Sequence, residues 1–346
     1  MLAKAAAQIP VGNYAYEPKW DGFRCLVDRT VTGTRLISRG DKDLSRYFPE
    51  VVAAAEALPR GCLLDGELVV RSGAPGAERL DWEALSARIH PAESRIAKLS
   101  AETPAEVVFF DALRIGDHDL MPEPFTARRA ALETLLAEVT EPSLHLTACT
   151  PDVDLARDWF TRFEGAGLDG VMAKALDAPY QPGRRAMVKV KHRRTCDAVV
   201  IGYRRAVGAK AAASSVPLVG SLLLGLYSDD GDLVKVGGIG ALPDAARASL
   251  IDELAPLIVT DGDGVAVSAQ ADRTRFSSAT DTAYVPLRPE LVVEVAFDQL
   301  EGNRFRHAVS LLRWRADKHP SECLLDQVDR AIAYDLAAVF DLGAQP

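Results

Sequence analysis

The sequence predicts an α+β domain, a mixed sheet packed by helices, followed by a small β-barrel of Greek-key type. Three observations predict this. The chain has 346 residues, enough for two cores. Its first half interleaves apolar runs of strand length with runs of helical periodicity. Past Asp197 the texture changes to one short apolar run after another, with a single helical stretch between them.

Each element has its own signal. FRCLVDR (23–29) and TRLIS (34–38) flank a VTG turn and predict a hairpin. YFPEVVAAAEAL (47–58) has apolar residues at helical spacing, and CLLDGELVV (62–70) is a strand. DWEALSARI (81–89) begins a second helix. VVFFDAL (107–113) is a buried strand by its apolar run. TARRAALETLLAEV (126–139) is a helix and LHLTA (144–148) a strand. DLARDWFTRFEGAG (154–167) is a helix closed by glycines. DGVMAKAL (169–176) and MVKVK (187–191) are strands. In the second half, AVVIGYRR (198–205), SLLLGLYS (221–228), LVKVGGIG (233–240), LVVEVAFDQL (291–300) and LLRWRAD (311–317) supply five strands. A helix over 243–257 interrupts them. Five strands and one helix fit a barrel of the OB type, with a sandwich as the alternative. The boundary falls near 193–197.

Composition is that of a soluble globular protein, 48% apolar and 26% charged. No apolar run approaches the ~18 residues of a membrane span. The opening MLAKAAAQIP is too short and weakly apolar for a secretory signal. Cys25, Cys62, Cys149, Cys196 and Cys323 are scattered without CxxC spacing, which argues against a zinc site and a disulfide framework. A reducing cytoplasm is the expected home. The net charge of −9 alone speaks against a nucleic-acid partner. Charge is uneven, however. Arg184, Arg185, Lys189, Lys191, Arg193, Arg194, Arg204, Arg205 and Lys210 face one acid, Asp197, within 184–210. Such a stripe can grip phosphates because screening confines the field to about 8–10 Å. A solvated linker is the plainer reading.

The stretch EPKWDGFR (17–24) carries the chemistry. A lysine is a covalent nucleophile once it loses its proton. Free lysine holds that proton to a pKa near ~10.4, so Lys19 needs cations or burial nearby. Lys174, Lys189 and Lys191 are possible cationic neighbours, and the same cations would hold phosphate oxygens. Lys189 and Lys191 alternate on one strand and share a face. Arg24 is a fork donor suited to phosphate or ribose. Asp21–Gly22 gives a tight bend. Taken singly, these residues have simpler roles: a surface hairpin at Lys19, core packing at Phe110, strand-end acids at Glu67 and Asp169.

Their order along the chain decides between these. KWDGFR is followed by SRGDKDL (38–44), LDGEL (64–68), FFDAL (109–113), LDGVMAK (168–174), VKVK (188–191) and WRADK (314–318). The set resembles the covalent nucleotidyltransferase superfamily and, within it, the ATP-dependent DNA ligases. It is most similar to the small actinobacterial C-type enzymes that lack a separate DNA-encircling domain. The resemblance runs from Glu17 to about Lys318. It implies an α+β nucleotidyltransferase (adenylation) domain over 1–194 and a β-barrel OB-fold domain with a C-terminal tail over 195–346.

The resemblance also implies roles. Lys19 attacks the α-phosphorus of ATP and carries AMP. Glu17 contacts the adenine, Arg24 the ribose side, and Phe110 stacks on the adenine ring. Arg39 binds the 5′-phosphate of a DNA break. Glu67 holds the ribose or a metal-bound water, and Asp169 sits near a Mg2+ or Mn2+ ion. Lys174 belongs to the same nucleotide site, and Lys189 and Lys191 hold the α-phosphate. Arg315, Asp317 and Lys318 orient the leaving pyrophosphate from the second domain, about a hinge at 193–195. Asp169 departs from the family's usual glutamate, and Arg306 to Arg315 is one residue longer than expected. The implied partner is nicked or gapped duplex DNA. Without an encircling domain its affinity should be modest, so a DNA-repair protein could assist, though no motif names one. A monomer suffices. The rivals are an RNA ligase or mRNA-capping guanylyltransferase, which share the lysine chemistry, and a relic that binds nucleotide or broken ends without sealing.

Overall fold

The computed structural model describes residues 1–192, 194–212, 214–270, 283–298, 300–328 and 334–344. Two units emerge, one of Met1–His192 with Arg330–Pro346, the other of Arg193–Asp329. The break falls within two residues of the expected boundary. The C-terminal tail, expected with the second domain, belongs to the first. Arg193, at the start of the expected hinge, lies outside the described residues.

Among the described residues the first unit holds two larger sheets, besides a two-stranded ribbon of Arg71–Ser72 and Arg79–Leu80. One contains β1 (Leu2–Ala5), β2 (Tyr14–Pro18), β8 (Gly170–Ala175) and β9 (Arg185–Lys191) in the order β1-β9-β8-β2. The other contains β3 (Phe23–Arg29), β4 (Thr34–Ser38), β5 (Cys62–Val69), β6 (Glu106–Ile115) and β7 (Leu144–Leu146) in the order β7-β6-β5-β3-β4. A core of Val27, Leu36, Phe48, Val51, Leu64, Leu68, Val107, Phe109 and Leu132 joins the second sheet to α1 (Pro49–Ala54) and α4 (Phe125–Ala137). The expected helix at 81–89 is α2 (Trp82–Ala87), capped by Asp81, whose side chain accepts from Ala84 N. α5 (Val153–Arg162) is capped by Asp152. The turn after it ends at Gly167, with φ +87° in the left-handed region.

Several elements of this unit went unanticipated, β1 and α3 among them. β1 is four residues pairing in parallel with β9 at a sheet edge, too short to show a period. α3 (Glu93–Glu102) buries only Ile96 and Leu99, so its apolar stripe is thin.

The second unit is built on β10 (Arg194–Arg205), β11 (Val219–Tyr227), β12 (Leu233–Ile239), β13 (Ala283–Pro286), β14 (Val292–Phe297) and β15 (Ser310–Trp314). β10 pairs with β11 over 199–205, with β14 over 194–199 and with β13 at 202–203, so one long strand serves several neighbours. β14 then pairs with β15. The expected helix is α6 (Ala246–Leu254), extended by a 3-10 turn to Leu257. The apolar interior includes Val199, Leu222, Leu224, Val236, Ile239, Leu254 and Val293. β13 was not anticipated. The chain ends in α7 (Leu336–Ala344). No helix among the described residues is long and apolar enough to cross a membrane.

Candidate active site

Lys19 occupies the loop between β2 and β3. Two backbone bonds pin it: Lys19 N donates to Gly170 O at 2.9 Å, and Asp169 N donates to Lys19 O at 3.0 Å. Two glycines permit this approach. A Cβ at Gly22 would lie 2.0 Å from Leu68 O, and one at Gly170, where φ is +140°, 2.0 Å from Val190 O. Trp20 is buried and its indole Nε1 donates to Thr147 Oγ1 at 2.8 Å.

Strand period and register gather the polar residues. Glu17 on β2 and Lys189 on β9 both pair with Met172 on β8. All three line a cavity of about 720 Å³, as do Lys19, Arg24, Arg39, Lys42, Glu67, Phe110 and Lys174. Phe110 reaches it through a bulge. Asp65 pairs with Asp111 and Gly66 with Phe109, which leaves Phe110 as the extra residue. Its neighbours Phe109 and Asp111 are buried while Phe110 is only partly so. The core role that its apolar strand suggests thus falls to Phe109.

At one part of the site, Lys19 Nζ lies 2.5 Å and Lys191 Nζ 2.7 Å from Asp169 Oδ2. Burial raises the Asp169 pKa, but the two ammonium groups outweigh it and the carboxyl sits below its ordinary value. Lys189 is pushed down by burial and by Lys191 and Lys19. Lys19 therefore shares its carboxylate partner, Asp169, with the Lys191 ammonium. Lys174, a possible cationic neighbour of Lys19, lies 2.8 Å from Glu17 Oε2 and donates to Phe110 O at 2.6 Å. Its Nζ stands 4.8 Å from the Phe110 ring centroid. Burial raises the Glu17 pKa against the pull of Lys174 and Arg129. Glu17 Oε1 is a buried acceptor without a hydrogen-bond donor.

Glu67 faces Arg24 across β5 and β3 and accepts from Gly22 N at 3.2 Å. Burial pushes its pKa up to about 7, against Lys19 and Arg24. Arg24 is held rather than open. Its Nε and Nη2 donate to Asp65 at 3.0 and 2.5 Å, Nη2 donates to Tyr180 OH at 3.2 Å, and Nη1 donates to Met1 O. Arg39 is exposed on the cavity rim.

Arg315, Asp317 and Lys318 form a cluster of their own in the second unit. Arg315 Nη1 donates to Asp197 Oδ1 at 2.8 Å and Oδ2 at 3.0 Å, and Lys318 Nζ donates to Oδ2 at 2.9 Å. Asp317 receives Arg315 Nε and Nη2, both at 2.9 Å, and the bonds from Arg315 lower its pKa to about 2.

Sequence reasoning missed five residues of these networks. Asp65 lies inside LDGEL and Lys42 inside SRGDKDL, so both motifs held the signal. Asp197, the one acid of the basic stripe, was marked by that contrast. Tyr180 and Arg129 carried no signal, because only tertiary packing brings them here. The stripe itself is not one surface, since Lys191 turns to Asp169 while Arg184 and Arg185 are exposed.

Residues 1–191 match the family model for the ATP dependent DNA ligase domain, and residues 216–318 match that for the ATP dependent DNA ligase C terminal region. The chain belongs to the ATP-dependent DNA ligase family. DNA ligase C1 of Mycolicibacterium smegmatis is 49% identical over 99% of this chain and 96% of its own. DNA ligase C of Mycobacterium tuberculosis is 44% identical over 98% of this chain and 96% of its own. A solved structure of the Lig E DNA ligases superposes with a TM-score of 0.57 at 18% identity, covering 91% of this chain and 98% of that one, which is a likeness of fold. The two-unit plan of this ATP-dependent ligase, an adenylation domain and an OB-fold domain, is the family's own.

Proposed function

We propose that the chain seals 3′-OH/5′-phosphate breaks in duplex DNA, by passing AMP from ATP through Lys19 to the break. Lys19 Nζ attacks the α-phosphorus, the P–N bond forms, and the bond to pyrophosphate breaks. The 5′-phosphate at the break then attacks the lysyl-AMP and takes the adenylate, freeing the amine. Last, the 3′-hydroxyl attacks that 5′-phosphate, losing its proton, and AMP leaves. Positioning and charge neutralisation supply most of the acceleration in such displacements.

One observation carries this reading: a single carboxylate, Asp169, holds Lys191 beside Lys19, and Lys19 lines the same cavity as Phe110 and Glu17. We assign Asp169 to orienting the nucleophile. Lys189 and Lys191 hold the α-phosphate oxygens. Phe110 offers the adenine a ring face, and Glu17 Oε1, which has Arg129 at 3.7 Å but no hydrogen-bond donor, offers its amino group an acceptor. Arg24, fixed by Asp65, Tyr180 and Met1 O, has one Nη1 N–H left to donate to the ribose. Arg39 and Lys42 on the rim suit the 5′-phosphate of DNA. Arg315, Asp317 and Lys318 serve the pyrophosphate.

A hard cation fits Glu67, whose carboxylate lines the cavity. Among the described residues no three His, Cys, Asp or Glu side chains gather as a cage. Magnesium is commonly held by one or two carboxylates, phosphates and water. Such an ion, or manganese, neutralises phosphate charge when bound. Asp169, which the resemblance gives to the metal, is already shared by two ammonium groups, so we place the ion with Glu67. We further infer that the protein acts as a monomer in the bacterial cytosol on nicked or gapped duplex.

The test uses α-labelled ATP. Label should stay on the denatured chain, vanish in Lys19→Ala, and be lost from wild type when nicked duplex is added and sealed. Preferred labelling from GTP would turn the reading toward a capping enzyme. Labelling without joining of any polynucleotide would remove the sealing activity.

A further inference from the structure

We propose that α7 is a positioning element for the nucleophile, acting through a Phe340–Trp20 stack directly behind Lys19. The proposal rests on the reading of Lys19 above. The helix lies beyond residue 318, where the second family model ends.

The chain leaves the first unit at His192 and returns to it after the second. What returns is more than a loose tail. Leu336 and Val339 are fully buried, with Trp20, Val108, Trp159, Phe163 and Leu168 in one apolar cluster. Leu336 N donates to Glu78 O at 2.9 Å. At Gly343 a Cβ would fall 1.8 Å from Leu146 O, so helix and β7 meet backbone to backbone.

Phe340 is the link to the site. Its ring stacks on Trp20 with centroids 5.2 Å apart and planes 16° apart. It also stacks on His145, at 4.0 Å and 21°. His145 is fixed in turn by Glu106 at 2.5 Å, and Glu106 by Arg71 at 2.7 Å. Trp20 is thus held on one side by Phe340 and at its indole N–H by Thr147. Trp20 also lines the cavity and follows Lys19 in sequence. The backbone bonds to Gly170 and Asp169 fix where Lys19 sits, and the stack fixes how the chain leaves it. Aromatic pairs of this kind contribute beyond the area they bury. Removing Phe340 frees one face of Trp20 and lets the loop that carries the amine shift. A displacement of about 1 Å in a reacting group can cost on the order of 100-fold in rate.

The experiment compares full-length wild type, Phe340→Ala, Phe340→Tyr and, as a control, Asp341→Ala on the exposed side of α7. Single-turnover lysyl-AMP formation is followed across ATP concentrations, with thermal melting of each variant. Phe340→Ala should lose roughly tenfold in maximal rate at an unchanged half-saturating ATP concentration. Phe340→Tyr should restore the rate, and Asp341→Ala should match wild type. Amide exchange in residues 17–22 should quicken in Phe340→Ala. A wild-type maximal rate in Phe340→Ala, whatever its melting temperature, would overturn the proposal. So would a loss that follows only the unfolded fraction. If wild type itself formed no lysyl-AMP, the proposed function would fail instead, a distinguishable result.

Discussion

Lys19 Nζ donates to Asp169 Oδ2 at 2.5 Å, and the backbones of the same two residues are hydrogen-bonded as well. The acid thus fixes both the loop and the amine. Asp169→Asn keeps the shape but removes the charge that Lys19 and Lys191 share. We expect lysyl-AMP formation to fall by roughly 100-fold. Asp169→Glu, which restores the family's usual residue, should keep most of the rate. Because Lys19 and Lys191 lower the Asp169 pKa against burial, the pair's contribution to stability is present above the unfolded carboxyl value and is lost as pH falls through the folded one. Denaturant melts at pH 7 should separate wild type from Asp169→Asn, and the two should converge in acid.

Glu67 gives a pH dependence of opposite sign. Its pKa, raised to about 7 by burial, means that folding works against its ionisation. The cost is absent below the unfolded value and grows until pH exceeds the folded one. Glu67→Gln should therefore melt higher than wild type at pH 8, by roughly 2 kcal/mol after discounting for the open cavity, and match it below about pH 4.5. The same substitution should abolish the metal-dependent rise in lysyl-AMP formation between about pH 6 and 8, when the ionised carboxylate appears. A rise retained in Glu67→Gln would assign it to another group.

The lysine loop and its partners were legible because sheet chemistry is periodic. Lys189 and Lys191 are two apart on a strand and reach one face, and Glu17, Lys19, Arg24 and Glu67 flank or sit on strands the apolar pattern marks. Phe110 was harder. Its run of apolar neighbours reads as core, and only the bulge that turns it toward the cavity separates it from Phe109. Tyr180 and Arg129 could not be found from local pattern, since each works across more than a hundred residues of chain. The tail was misassigned for a related reason: sequence proximity to the second domain says nothing about which core takes Leu336, Val339 and Phe340.

Phe110→Ala tests the nucleotide platform. The substitution removes a ring face but leaves Lys174 paired with Glu17. Half-saturating ATP for lysyl-AMP formation should rise roughly tenfold, corresponding to about 1.4 kcal/mol, with little change in maximal rate. Phe110→Trp should preserve binding, because any flat aromatic can stack. A fall in maximal rate at constant half-saturation would instead mean that Phe110 acts on the reacting atoms.

Asp197 is the acid on which Arg315 and Lys318 converge, and it gives a step-specific test. Its carboxylate holds the two cations side by side, and Asp317 braces Arg315 from the other side. Family resemblance assigns these cations to the pyrophosphate of the first step alone. If Asp197 pre-orients them, Asp197→Asn should slow lysyl-AMP formation from ATP by roughly 10-fold, since a neutral amide cannot neutralise or align two donors. Sealing of a nick already carrying 5′-adenylate needs no pyrophosphate to leave, and should run at the wild-type rate. Single-turnover assays on ATP and on pre-adenylylated nicked duplex separate these. Equal losses in both would place Asp197 in the stability of the second unit, whose strand β10 it occupies. Loss only on the pre-adenylylated nick would move Arg315 and Lys318 from the nucleotide to the DNA.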